Sequence, residues 1–237
     1  MSSSAVLFRG TITIIVTAFL MHHFDNSTLP SFLFFGFTLS YELMKIAAVY
    51  AFPILSDPKY SPSNTLSLLN TVPRWLMAYT IISGKNTNIP SSERLFWACF
   101  IFVLSMTLMM ISETQKAVFL KFQKKVVTTG VFARTRNPEV LAEICILAAF
   151  AILVNSPLSY LLAAVISLPI FSHIAMKKEQ LVQEEEEEWK KYKHNTWMIF
   201  PKILGDRNVV NIIFYILSVA CGSVFYQYGG FTNLLKK

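Results

Sequence analysis

Charged residues are scarce in this chain. Asp, Glu, Lys and Arg make up 15% of its 237 residues, whereas a typical soluble domain contains about 25%. Hydrophobic residues make up 54% of the chain, and the mean hydropathy is +0.48. This composition excludes an ordinary soluble domain and indicates an integral membrane protein. The length fits one compact helical domain.

Cysteine is also rare. Cys99, Cys145 and Cys221 lie far apart, each in an apolar stretch. Their spacing excludes a disulfide framework and a cysteine-based metal site. We therefore expect them to be small packing or lipid-facing residues.

The N-terminal segment has no acidic residue before Asp25 and no small-residue cleavage site after its first apolar run. His22, His23 and Phe24 follow that run instead. This pattern predicts a retained membrane anchor rather than a removed signal peptide.

The chain lacks a basic motif with interleaved aromatic residues, which argues against nucleic acid as a partner. Its net charge of +7 is concentrated in two inter-helix segments that a helical hairpin separates, so both emerge on one side. The positive-inside rule places that side in the cytosol or the mitochondrial matrix, with anionic lipid headgroups as the expected ligand. The segments contain Lys116, Lys121, Lys124, Lys125, Arg134 and Arg136, and then Lys177, Lys178, Lys190, Lys191, Lys193, Lys202 and Arg207.

Long apolar runs predict about seven transmembrane helices, because a spanning helix needs about 20 mostly apolar residues. The third run is the weakest, since it contains Pro73 and Arg74, and the fifth is short for a full span. The fourth is expected to continue as a polar helix to about Lys125. The runs cover residues 5–23, 32–55, 66–82, 95–111, 140–154, 158–176 and 209–228.

The fold predicted from these runs is an all-α membrane bundle with a charged surface helix over residues 177–193. Asn155, Ser156 and Pro157 predict the turn of the hairpin between the fifth and sixth helices. Alternating crossings place the N-terminus on the basic side. If the third run lies on the surface, the count falls by one and the N-terminus changes side.

Three charged side chains lie inside predicted spans. Glu42 and Lys45 are three residues apart and share a helix face, so a mutual ion pair is the favoured interpretation over a polar pocket. Arg74 follows Pro73, and we expect its guanidinium at the membrane interface.

The loop that enters the hairpin contains Arg134, Arg136, Asn137 and Pro138. Pro138 has no backbone donor and biases Asn137 toward an extended conformation. Polar groups are therefore expected at a helix N-terminus, where carboxylates and phosphates bind favourably. An Arg there can hold either group bidentately. A phospholipid headgroup satisfies the same chemistry.

This loop, in the segment TTGVFARTRNPEVLAE, resembles the C-terminal catalytic half of a superfamily of membrane enzymes. The superfamily includes isoprenylcysteine carboxyl methyltransferases, phospholipid methyltransferases and steroid-reductase-like proteins. Its pattern reads roughly Gly-Tyr/Phe-x-x-x-Arg-His-Pro-x-Tyr-x-Gly, with Glu next in the reductase-like branch. Val140 and Ala142 replace the Tyr and the Gly, and Asn137 replaces the His. The matching residues are Gly130, Phe132, Arg136, Pro138 and Glu143.

The second half of the pattern is roughly Glu-Glu-x-x-Leu, then Phe-Gly-x-x-Tyr-x-x-Tyr, then Pro. Lys177 and Lys178 occupy the positions of the paired carboxylates. Glu179 is one residue beyond them in sequence, which on a helix turns its side chain by about 100°. An acidic group there stabilises a sulfonium or transfers a proton, so two lysines argue against retained methyl transfer. Glu185 and Glu186 replace Phe-Gly. The alignment rests on Leu181, Trp189, Tyr192 and Pro201.

These substitutions favour a catalytically degenerate relative over an enzyme. We expect a structural or accessory subunit of a membrane protein complex, with a mitochondrial inner-membrane respiratory assembly as a candidate host and no cofactor. One alternative is an active S-adenosylmethionine-dependent methyltransferase of lipids or isoprenylcysteine, carried by Arg136, Asn137, Glu179 and Tyr192. A second is an NADPH-dependent steroid-reductase-like enzyme, supported by Glu143, Thr196 and Pro201.

The resemblance divides the chain at residues 1–125, 126–201 and 202–237, the last part being an added helix. We expect membrane lipids and other membrane subunits as partners, and the mitochondrial inner membrane is favoured over the endoplasmic reticulum. No metal site is expected. A cofactor would contact Gly130, Arg136, Asn137 and Glu143, and a lipid headgroup would contact Arg134, Arg136, Lys124 and Lys125.

Overall fold

The computed structural model describes residues 3–53, 64–84, 90–122, 127–167, 169, 172–173, 175–176, 186–205 and 207–227. Every regular element in these ranges is helical, which confirms the all-α prediction. The helices are α1 (Ser3–His23), α2 (Leu29–Ala51), α3 (Asn64–Ile82), α4 (Ser92–Phe122), α5 (Pro138–Val154), α6 (Pro157–Leu161), α7 (Glu186–Asn195) and α8 (Asn208–Gln227). A 3-10 turn (Gly130–Ala133) precedes α5, and a π-helical turn (Leu162–Ser167) follows α6.

Three described helices are long and apolar enough to cross a membrane, namely Ser4–His23 of α1, α2 and α4. The chain is therefore an integral membrane protein, but the prediction of about seven spans is not confirmed. Helix α5 has 17 residues, fewer than the roughly 20 that a perpendicular span needs. The apolar part of α8 that the structure describes, Asn208–Cys221, is also shorter.

Helix α4 is longer than the predicted fourth span. It is one continuous helix of 31 residues from Ser92 to Phe122, because the polar stretch after Ile111 keeps a buried side at Ser112, Ala117 and Leu120. Its predicted end near Lys125 lies outside the described residues.

Successive helices alternate in direction, which places the short turns together at one end of the bundle. Asn26, between α1 and α2, donates from Nδ2 to the carbonyl of Ile82 at the end of α3 (2.8 Å). Arg94, in the first turn of α4, donates to Asn155 Oδ1 after the end of α5. We call this the turn end. The N-terminus of α5 and the C-termini of α2 and α4 lie at the opposite end.

The core of the bundle is an aromatic cluster between α2, α4 and α5. Phe37 stacks on Phe102 with ring centroids 4.0 Å apart, and Phe34 packs against Phe150 at 4.8 Å. These rings are buried, so they fix the spacing of the three helices that position the residues described below.

The predicted turn at Asn155-Ser156-Pro157 is confirmed. Asn155 has a φ of 52°, a left-handed conformation that Asn tolerates better than most residues. Ser156 caps α6 by accepting from the backbone N–H of Ser159 (3.1 Å), and the Ser159 hydroxyl accepts from the Ser156 N–H (3.2 Å). Pro157 occupies the first helical position, where its missing donor costs nothing.

Helix α8 is tied to the remainder of the chain through its first two turns. Asn208 Oδ1 accepts from Trp197 Nε1 (2.8 Å), and the Tyr215 hydroxyl donates to the Pro201 carbonyl (2.7 Å). Asn211 is buried and donates to the Gly205 carbonyl (3.0 Å). Large apolar side chains of α8 are exposed, namely Val209, Val210, Ile212, Ile213, Ile216, Leu217 and Val219.

Candidate functional site

Two distant parts of the sequence meet at the end of the bundle opposite the turn end. The loop 127–137 lies against the segment 192–202, and we call this contact the clasp. Arg136 N donates to the Trp197 carbonyl (2.9 Å), and Lys202 N donates to the Arg134 carbonyl (3.0 Å). The Thr135 hydroxyl donates to the Ile199 carbonyl (2.6 Å). The clasp thus joins the two halves of the family-like pattern.

Arg136 caps the end of α7. Its Nη1 donates to the carbonyls of Thr196 (2.6 Å) and Lys193 (3.2 Å). The last carbonyls of a helix lack intrahelical partners and carry partial negative charge, so a guanidinium there satisfies acceptors and offsets the helix dipole. Nη1 of the side chain predicted to hold a cofactor or a headgroup is therefore bonded to the main chain.

Asn137 is buried, with 4% of its surface exposed. Its Nδ2 donates to the Met198 carbonyl (3.0 Å), while its own carbonyl accepts from the backbone N–H of Val140 and Leu141. The side chain does not cap α5, because it crosses to the clasp instead. The amide thus positions the segment 196–200.

The buried side chains of Tyr192 and Lys202 also belong to the clasp. The Tyr192 hydroxyl donates to the Phe132 carbonyl (2.8 Å), and Lys202 Nζ donates to the His194 carbonyl (2.6 Å). Lys202 is only 1% exposed. The expectation that Lys202 meets anionic headgroups is therefore wrong, since its ammonium is needed at the end of α7.

The backbone conformation at position 130 favours glycine. Its φ is +60°, and an added Cβ would clash with the side-chain amide of Gln115. Gln115 holds the turn by donating to the Thr129 carbonyl (2.7 Å) and accepting from Val131 N (3.2 Å). The close approach of Gln115 accounts for Gly130 without a cofactor.

Arg134 lies in the clasp with its side chain at the surface. This position is compatible with the headgroup contact predicted for it, which stays a prediction. Lys124, Lys125 and Glu179 lie outside the described residues, and so do Lys177 and Lys178.

A layer of buried charges lies within the bundle toward the clasp. Glu42 is fully buried and accepts from two arginines, Arg74 Nη1 (2.7 Å) and Arg9 Nη2 (3.3 Å). The expectation of an interfacial Arg74 is wrong, because its side chain is 4% exposed and lies over the Tyr41 ring at 4.5 Å.

Lys45 does not pair with Glu42, so the interpretation of a mutual ion pair is also wrong. Its Nζ lies 3.0 Å from Glu143 Oε1 and 3.5 Å from Glu113 Oε1. The Tyr41 hydroxyl is 2.8 Å from both carboxylate oxygens of Glu143. Glu42 of α2 therefore pairs with α1 and α3, whereas Lys45 of α2 pairs with α4 and α5.

A further ion pair links this layer to the start of α5. Lys116 Nζ lies 3.7 Å from Oε1 of Glu139, which is buried in the first turn of the helix. Lys116 was expected to meet lipid headgroups, but it compensates an internal carboxylate. A carboxylate in the first turn of a helix also interacts favourably with the helix dipole.

The polar atoms that the resemblance assigns to a cofactor are thus used within the chain. Arg136 Nη1 and Asn137 Nδ2 donate to carbonyls, and both Glu143 oxygens face Tyr41. Val140 and Ala142 are buried in the core, so they add no polar contact. To use these atoms, S-adenosylmethionine or NADPH would have to replace the contacts that they make in this conformation.

Sequence reasoning missed Arg9, Tyr41 and Glu113 as members of the charged layer. Arg9 and Glu113 carried a usable signal, since ionisable residues within apolar helices are costly and are usually paired. Tyr41 carried no such signal, because tyrosine is common in apolar helices at a membrane interface.

Residues 94–185 match the family model described as phospholipid methyltransferase. The match covers less than half of the chain and includes α4, the loop and the hairpin. It confirms the resemblance to the membrane methyltransferase superfamily. No curated protein and no solved structure matches the chain.

Proposed function

We propose that this chain is a membrane scaffold that keeps the architecture of the phospholipid methyltransferases without catalysing methyl transfer. One observation carries the proposal. The two side chains expected to reach a cofactor, Arg136 and Asn137, donate to main-chain carbonyls of the segment 193–198. A cofactor that used Arg136 Nη1 or Asn137 Nδ2 would have to replace these bonds.

Two further features support this proposal. The sequence has Lys177 and Lys178 where the superfamily has paired carboxylates, and a lysine pair repels the sulfonium of S-adenosylmethionine. Val140 and Ala142 are packed in the core, where the superfamily has a phenol and a glycine.

The scaffold is proposed to act as an accessory subunit of a membrane protein complex, with the mitochondrial inner membrane favoured as its location. Helix α8 supports a subunit role. It is anchored near Asn208 and Tyr215, and its apolar side chains are exposed. That surface is available to lipid and to a neighbouring subunit.

The test is S-adenosylmethionine binding by calorimetry on the protein purified in mild detergent, with co-purifying proteins identified from the same preparation. We expect no binding and a stoichiometric set of membrane proteins. The matched variant is Arg136→Ala, which should lower the unfolding temperature because it uncaps α7. Micromolar binding by the wild type that this variant abolishes would overturn the proposal.

The family match favours a second candidate, an active S-adenosylmethionine-dependent methyltransferase acting on a lipid or an isoprenylated cysteine carboxylate. Arg136, Asn137, Glu179 and Tyr192 would carry it. Transfer of a labelled methyl group to membrane lipids or to a farnesylcysteine peptide tests this candidate. If the wild type methylates and Arg136→Ala does so equally well, the role given to Arg136 fails.

A further inference from the structure

The surroundings of Lys45 are those of a cation-binding site. Its Nζ lies 3.0 Å from Glu143 Oε1, 3.5 Å from Glu113 Oε1 and 3.3 Å from the Met109 sulfur. The centroid of the Tyr41 ring is 5.9 Å away. Carboxylates, a polarisable thioether and an aromatic face are the groups with which proteins hold organic cations. We call these four side chains the cage.

The cage presents two carboxylates to its occupant. Glu113 and Glu143 face one ammonium, and within the described residues Lys45 is the cation in ion-pair range of both. The Tyr41 hydroxyl donates to Glu143 (2.8 Å), which fixes that carboxylate without neutralising it. Two carboxylates at this position favour binding of a cation over an anion or a neutral molecule.

The cage also opens toward the surface, unlike the Glu42 part of the layer. The side chains of Lys45, Glu113 and Glu143 are 18%, 20% and 15% exposed, whereas Glu42 is 0% exposed. Lys45 is six residues before the end of α2, a rise of about 9 Å. Once Lys45 is shortened, a small cation can therefore reach the carboxylates from the surface.

We infer that Tyr41, Met109, Glu113 and Glu143 form a binding site for a primary alkylammonium group, and that Lys45 is its tethered occupant. The four-carbon stem of Lys45 delivers the ammonium from α2 to side chains of α4 and α5. This arrangement excludes free amines from the cage in the native chain. The inference does not depend on whether methyl transfer is retained.

Chemical rescue tests the inference. Lys45→Ala removes the three outer methylenes and the ammonium, which together correspond to propylammonium. The variant should unfold at a lower temperature than the wild type. Propylammonium should then raise its unfolding temperature in a saturable way, recovering half or more of the loss, because a ligand that binds only the native state stabilises it. The wild type should show no such rise.

The controls separate a cage from a general salt or solvent effect. Propan-1-ol has nearly the same size without the charge and should not rescue. If Lys45→Ala fails to fold, Lys45→Ala with Glu113→Gln reduces the carboxylate repulsion and keeps Glu143, so rescue should persist at higher propylammonium concentration. Adding Glu143→Gln should abolish it. Equal effects of propanol and propylammonium, or equal effects on wild type and variants, would overturn the inference.

Discussion

Glu42→Gln should be among the most destabilising single substitutions in this chain. The substitution keeps the size of the side chain and removes the charge that two buried arginines, Arg9 and Arg74, share at 3.3 and 2.7 Å. Removing one partner of a buried ion pair costs about 3–5 kcal/mol, because the remaining charge stays buried without compensation. For a chain of this size, each kcal/mol shifts the unfolding temperature by about 2–4 °C, so we expect a loss of about 6–20 °C.

The assay is thermal unfolding in detergent with a thiol-reactive fluorophore at a fixed scan rate. Cys99 and Cys145 are partly buried and report unfolding, whereas Cys221 is exposed and is replaced by Ala in all samples. The control is Asp25→Asn, which makes the same chemical change at an exposed position whose positive φ Asn tolerates. It should shift the midpoint by no more than about 1–2 °C.

A third variant separates charge from packing. Combining Arg9→Met, Glu42→Leu and Arg74→Met replaces the whole group with apolar side chains of similar volume, an exchange that is often neutral or stabilising for buried ion pairs. It should recover most of the loss caused by Glu42→Gln. If Glu42→Gln and Asp25→Asn unfold at the same temperature, the charges of Arg9, Glu42 and Arg74 are solvated and the description of a buried layer is refuted.

Three further predictions concern the clasp and the turn end, and the same unfolding assay checks them. Gly130→Ala should lower the free energy of unfolding by more than about 1 kcal/mol, because residue 130 has a positive φ and lies close to Gln115. Gly36→Ala should be neutral or stabilising, because an added Cβ there has no atom within 4 Å. Tyr192→Phe should lower the free energy of unfolding by about 0.5–1.5 kcal/mol, because it removes the hydrogen bond to the Phe132 carbonyl. Tyr50→Phe, at an exposed position, should have no measurable effect. Equal effects of the two substitutions would contradict the clasp geometry. Asn155→Ala should cost more than Asn155→Gly, because the left-handed φ of 52° suits glycine. Both variants lose the contact with Arg94, so the reverse order would contradict the left-handed conformation.

The helices could be predicted from the sequence because lipid imposes a simple rule on apolar runs. A long run without breakers must satisfy its backbone internally, and α1, α2 and α4 follow this rule. The hairpin turn was also predictable, since Asn155, Ser156 and Pro157 each favour a turn for a local reason.

The partners of the buried charges could not be predicted in the same way. Spacing on one helix indicates that Glu42 and Lys45 share a face, but their partners are 32 to 98 residues away in sequence, on α1, α3, α4 and α5. The packing of the aromatic core decides which helices meet. The sequence of α2 alone does not determine that packing.

The clasp was predictable only in outline. The order of the two motifs predicts that Arg136 and Tyr192 belong to one site, and the structure brings their segments into contact. What a motif cannot show is the direction in which each donor points. Arg136 has the residue type of an anion-binding group, and the geometry of the α7 end assigns it to carbonyls.

The buried charges also constrain how the chain enters its membrane during synthesis. A single helix with an unpaired Arg or Glu near its centre inserts at a cost of about 2.5–3.5 kcal/mol. Arg9 meets Glu42 as soon as α2 has been made, 33 residues later, but Arg74 arrives 32 residues after Glu42. The carboxylates that pair with Lys45 arrive only with α4 and α5. The charged layer is therefore complete only after α5 has been made.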